Sequence, residues 1–110
     1  MNAQLQFRPG AEEMGLLKSV LNEVLHGFEI REFERRIGLE RKTLDALFEQ
    51  FRLVDRRETA TLDINQTRAF RNALFETIRE LGVHEFETRT GYSLHQGEAV
   101  LEKLDHLLSD

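Results

Sequence analysis

The chain has 110 residues, 32% of them charged, and a formal net charge of −5; such a length fits one domain that folds without staples. It has no cysteine, which excludes disulfides, thiolate metal sites and cysteine nucleophiles and fits a reducing compartment. The acidic balance argues against a general phosphate-binding surface.

The opening MNAQLQFRPGAEE holds no apolar segment of the kind a secretory signal needs. Nowhere is an apolar run long enough to span a membrane, so a cytoplasmic location without a membrane partner is expected. AQLQF (3–7) alternates polar and apolar residues, which predicts a short strand with Leu5 and Phe7 facing inward. Leu16, Leu17, Val20, Leu21, Val24 and Leu25 then recur at helical spacing, and Gly27 suits a left-handed stop.

EFERRIG (32–38) comes next and predicts a short helix. Phe33 and Ile37 share one face; Glu32 lies four residues before Arg36, the favoured order for an ion pair; Gly38 ends the helix. Leu44, Leu47, Phe48 and Phe51 mark a third helix, followed by the short charged linker VDRRET (54–59).

The pattern then begins again. ATLDI (60–64) reads as a strand with Leu62 and Ile64 inward, and Asn65 as the N-cap of a helix striped by Phe70, Ala73, Leu74, Ile78 and Leu81. Gly82 ends it. EFETRTG (85–91) repeats the short helix, with Glu85 and Arg89 as its ion pair. Ser93 and Gln96 form a capping box before Val100, Leu101, Leu104, Leu107 and Leu108.

Laid over residues 69–104 without a gap, residues 16–51 match at nine of 36 positions. The identities are Leu21/Leu74, Glu23/Glu76, Glu32/Glu85, Phe33/Phe86, Glu34/Glu87, Arg36/Arg89, Gly38/Gly91, Ala46/Ala99 and Glu49/Glu102. Such matching at a fixed offset of 53 indicates an internal repeat. The expected fold is mainly α: one domain, 1–110, of two pseudo-symmetric three-helix units at about 3–53 and 60–108. The two strands would pair as a two-stranded ribbon beneath the helices.

Three classes of function can be weighed. In the first, residues 30–49 resemble the helix-turn-helix pattern, with Gly38 at the turn and Arg41 and Lys42 opening the recognition helix. Against it, Glu34 stands where close helix packing wants a small residue, and Glu40, Asp45 and Glu49 surround the basic pair. In the second, the chain binds another protein. Residues 1–53 hold 8 Lys/Arg against 9 Asp/Glu, whereas residues 54–110 hold 7 against 11. The second half therefore suits a basic partner, through acids such as Glu85, Glu87 and Glu98. Glu34 and Glu87 are duplicated without an evident intrahelical partner, and so are candidates to pair across a symmetry axis or face a ligand.

The third class, an enzyme, lacks support: none of the four histidines is duplicated, and no HExxH, GxSxG, Walker-type or dinucleotide glycine pattern occurs. No catalytic residue, metal ligand or cofactor is assigned. The expected function is that of a small cytoplasmic adaptor, regulator or immunity-type protein acting by protein–protein interaction, with DNA binding as the alternative. Phe75, whose counterpart is Asn22, is a candidate for a homodimer contact.

Overall fold

The computed structural model describes residues 5–54 and 60–109, and the fold is mainly helical. α1 (Ala11–Asn22) runs directly into a π turn, Glu23–Gly27. α2 (Phe33–Ile37) and α3 (Arg41–Arg52) follow, then α4 (Ile64–Thr90) and α5 (Leu94–Leu108).

The described residues thus form five helices where six were expected. The difference lies in α4, which carries two of the expected helices end to end. Gly82 does break the helical geometry, at φ 68° and ψ −168°, but the chain resumes helix at once. A single residue, free of a Cβ, absorbs the whole break. Gly27 differs from expectation in another way. It is no left-handed stop; it closes the π turn, and the positive-φ glycines are Gly38, Gly82 and Gly91.

The expected ribbon is reduced, among the described residues, to one antiparallel bridge between Phe7 and Leu62. Its two backbone hydrogen bonds measure 2.9 and 2.8 Å. The register explains why it stops there. The next hydrogen-bonded pairs in an antiparallel ladder would be Leu5 with Ile64 and Pro9 with Ala60. Ile64 is already the first residue of α4, and Pro9 has no N–H to give. Phe7 and Leu62 are both buried, while Leu5 and Ile64 are only half-buried.

Helix starts follow the side-chain chemistry. The N-cap of α4 is Asp63, two residues before the expected Asn65. The Asp63 carboxylate accepts the Gln66 N–H at 2.8 Å, and the Gln66 side chain accepts the Asp63 N–H at 3.0 Å. This reciprocal pair satisfies two otherwise orphan donors and positions the helix at once after the bridge. Ser93 and Gln96 do the same for α5, as their spacing predicts, at 3.1 and 2.8 Å. Asp63→Ala is expected to lower stability by about 1 kcal/mol, read as a shift of the urea midpoint without a change of slope.

α4 is the central element: it packs against α1, α2, the π turn and α5, and α1 also packs on α3. Leu16, Leu17, Val20, Leu21 and Val24 of the first helix, Phe70, Ala73 and Leu74 of α4, Leu44 of α3 and Leu104 of α5 are essentially sealed from solvent. Burial of each such leucine or phenylalanine contributes about 1.5–3 kcal/mol. Phe7 stacks on Phe70 with ring centroids 6.4 Å apart. Asn72 of α4 donates to the Ile37 carbonyl at 2.9 Å, answering an orphan acceptor at the end of α2. Tyr92, just past α4, lays its hydroxyl on Gly15 of α1, where a Cβ would collide with it.

Helix boundaries recur at a spacing of 53. Gly10 and Asp63 cap α1 and α4; Glu40 and Ser93 cap α3 and α5; Gly38 (φ 99°) and Gly91 (φ 82°) end the two short segments. Elsewhere the halves differ. Glu32 is left-handed, at φ 53°, whereas Glu85 is helical. Gly27 faces the matching place of Glu80, and Gly82 that of Glu29.

Candidate functional site

The six residues singled out in the sequence are all exposed. Glu34 lies on α2, Glu85 and Glu87 on the part of α4 beyond Gly82, and Glu98 on α5. None of these four carboxylates makes an ion pair or side-chain hydrogen bond among the described residues. Arg41 and Lys42 open α3.

Arg41 is already committed within the fold. Its Nη1 donates to the Leu25 carbonyl at 2.7 Å, inside the π turn that ends the first helix. Its guanidinium also lies over the Phe33 ring, 4.5 Å from the centroid. A cation at a helix C-terminus is favoured by the backbone dipole, and stacking on the ring adds to this. Lys42 makes no such contact among the described residues.

The expected ion pairs inside the duplicated phrase do not form. Glu32 pairs instead with Arg35, at 3.3 Å. Arg36 reaches Glu76 on α4 at 3.7 Å, an ionic contact too long for a hydrogen bond. Arg89 reaches back to Glu23 in the π turn at 2.8 Å. The physical reason is burial. Glu23 and Glu76 have side chains only 8% and 11% exposed, so a counter-charge is worth more there than beside an exposed glutamate one helical turn away.

The two contacts are reciprocal. Arg36 and Arg89 lie 53 residues apart, as do Glu23 and Glu76. Each arginine crosses to the glutamate of the other half. They are not equally tight, and Gly27 accounts for the difference. A Cβ on Gly27 would stand 2.8 Å from Arg89 Nη2; the absence of one lets the guanidinium settle and donate to the Gly27 carbonyl at 3.0 Å. Glu23 Oε1, 2.8 Å away, receives the charge of the arginine without a well-aligned hydrogen bond.

No protein-family model, curated protein or solved structure matches this chain.

Four bases of the second half lie beside acids. Arg71 binds Asp105 at 2.6 Å, Lys103 binds Glu13 at 2.7 Å, Arg89 binds Glu23, and Arg79 lies 3.9 Å from Glu76. These four bases are engaged within the fold, while Glu85, Glu87 and Glu98 are exposed. Phe75 is 37% exposed, with the Arg71 guanidinium 5.0 Å from its ring centroid.

An open groove of about 350 Å³ lies between α3 and the start of α4, lined by Leu39, Thr43, Leu47, Gln50, Asp63 and Gln66 among others. None of the six sequence candidates lines it. It was not visible in the sequence because it joins residues of two helices separated by the linker. The reciprocal arginine–glutamate contacts did leave a signal: all four residues stand among the nine identities. No helix among the described residues is long and apolar enough to cross a membrane.

Proposed function

We propose that this chain is a small cytoplasmic macromolecule-binding protein, an adaptor, regulator or immunity-type protein, built from a duplicated unit and acting by protein–protein interaction. The observation that carries the binding reading is the set of carboxylates Glu85, Glu87 and Glu98, exposed and without an ion pair among the described residues, on a half in which Arg71, Arg79, Arg89 and Lys103 each lie beside an acid. Such exposed acids steer a basic partner toward this half and repel acidic ones. Glu34 and Glu87 belong to the same surface chemistry. The duplicated-unit reading draws its support from the reciprocal contacts of Arg36 with Glu76 and Arg89 with Glu23.

Pull-down from native lysate with and without nuclease, read by mass spectrometry, tests the binding reading. A stoichiometric partner is expected to survive nuclease and to be lost with E85K/E87K/E98K, while the melting temperature changes by only a few degrees. Retention of the partner by the reversed variant would remove these acids from consideration.

The DNA-binding alternative has one favourable observation: Gly38 makes a left-handed turn between α2 and α3, where a helix-turn-helix would need it. The engagement of Arg41 with Leu25 and Phe33 stands against it. A basic residue that reads a base edge needs its donors free. Nuclease-sensitive recovery of nucleic acid, abolished by R41A/K42A with unchanged melting, would promote this reading over the first.

A further inference from the structure

We infer that the outward stripe of α4 before Gly82 is a second interaction surface, and that the partner it fits is an acidic protein segment with an apolar side chain between its acids. Arg68, Phe75 and Arg79 are exposed, and Arg71 is half-buried beside them. At about 100° of turn per residue, all three arginines fall within about 40° of Phe75 around the helix. Glu80, the exposed acid of this stretch, falls about 140° away from the ring. Glu76 is buried.

The ring is held in place. The Arg71 guanidinium lies 5.0 Å from its centroid, and is itself fixed by Asp105 at 2.6 Å and by the Asn72 side-chain oxygen at 3.1 Å. Asp105 thereby answers the charge of Arg71. Other positive charge on the stripe is left over. Arg68 makes no ion pair or side-chain hydrogen bond among the described residues. Arg79 and Arg36 share one carboxylate, Glu76, at 3.9 and 3.7 Å, so one positive charge there is in excess. Cations therefore flank an exposed ring on both sides, about 10 Å before it and about 6 Å after it along the helix axis. Arginine and aromatic side chains together are the residues that concentrate at the centres of protein interfaces.

Charge selects the occupant. A second copy packed on this face about a twofold axis would set arginine against arginine, because such a contact uses the same patch of both chains. A nucleic acid is charged along its whole length and meets the net charge of −5 at long range. A short acidic segment needs only the stripe: its acids meet Arg68 and Arg79, and its apolar side chain covers Phe75. The matching positions of α1, 53 residues earlier, are Gly15, Lys18, Asn22 and His26, so the stripe is no part of what the two halves share. It also uses none of Glu85, Glu87 and Glu98, and its partner has the opposite charge to the one those acids attract.

Fluorescence anisotropy of the full chain at physiological salt, with a labelled oligoglutamate peptide carrying one central phenylalanine, tests this. Saturable binding is expected, weakened about tenfold or more by F75A and likewise by R68E/R79E. Both variants alter exposed side chains and should melt within a few degrees of the wild type. R8E/R31E changes the net charge equally at exposed positions elsewhere, and should leave the affinity within about twofold. Equal losses from R8E/R31E and R68E/R79E would assign the attraction to overall charge and overturn the site. Binding unchanged by F75A, or equal binding of the peptide with alanine in place of its phenylalanine, would overturn it too. Tighter binding of an oligothymidylate of the same charge would replace the acidic protein by a nucleic acid. Self-association of the chain, lost in F75A, would give the stripe to a second copy. No binding at millimolar peptide would overturn the inference outright.

Discussion

Phe86→Ala is expected to lower the unfolding free energy by about 3–5 kcal/mol, and Phe33→Ala by no more than about 1–2 kcal/mol. The two phenylalanines hold the same place in the duplicated phrase, yet their surroundings differ. Phe86 is fully buried. Its ring lies against Gly97, where a Cβ would come within 2.7 Å of it. In the first half the position matching Gly97 is Leu44, itself fully buried. A full side chain stands there in place of the glycine, and Phe33 sits half-buried beneath the Arg41 guanidinium. Truncating Phe86 opens a cavity in a close-packed region; truncating Phe33 removes a partly wet contact.

The same geometry sets a control. Gly97→Ala should cost about 1–3 kcal/mol by overpacking. Combined with Phe86→Leu, it should cost less than the sum of the two single changes, because the smaller side chain vacates the space the new methyl needs. Urea denaturation of the four proteins provides the cycle. Strict additivity would mean that the two residues do not share this space.

Arg89→Met is expected to destabilise the protein by about 2–3 kcal/mol, below the roughly 3–5 kcal/mol of a fully buried pair because the arginine side chain is 35% exposed. The change strands the Glu23 carboxylate, which is 8% exposed and has no other charge partner among the described residues. It also removes the donor that meets the Gly27 carbonyl. Arg36→Met, whose contact to Glu76 is 3.7 Å and is backed by Arg79 at 3.9 Å, should cost only about 1 kcal/mol. Adding Glu23→Gln to Arg89→Met should recover part of the loss, since a neutral amide is easier to bury than an unpaired carboxylate. Thermal or urea unfolding of the set checks this. Equal losses for Arg36→Met and Arg89→Met would show that burial of the glutamate does not set the cost.

The sequence held the helices because their signals are local. The stripe from Leu16 to Leu25, the Ser93–Gln96 box and the glycines at 38 and 91 act within one or two turns, and the chain follows them. The ribbon was overdrawn for an equally local reason: alternation in AQLQF and ATLDI says nothing about a proline and a helix start that block the next pairs. Candidate residues were legible as exposed charges, but Arg41's engagement was not, because Leu25 lies 16 positions away.

What the sequence determined by itself, then, was a helical chain and a set of residues identical at an offset of 53. Only the tertiary structure decided what those residues do. Spacing within a helix offered Glu32 to Arg36 and Glu85 to Arg89, since neighbours one turn apart are all that local geometry can propose. Folding brought Glu76 and Glu23 closer and took them out of water, where an unpaired charge costs far more than at the surface. The arginines went where the larger penalty had to be met, across the seam between the halves.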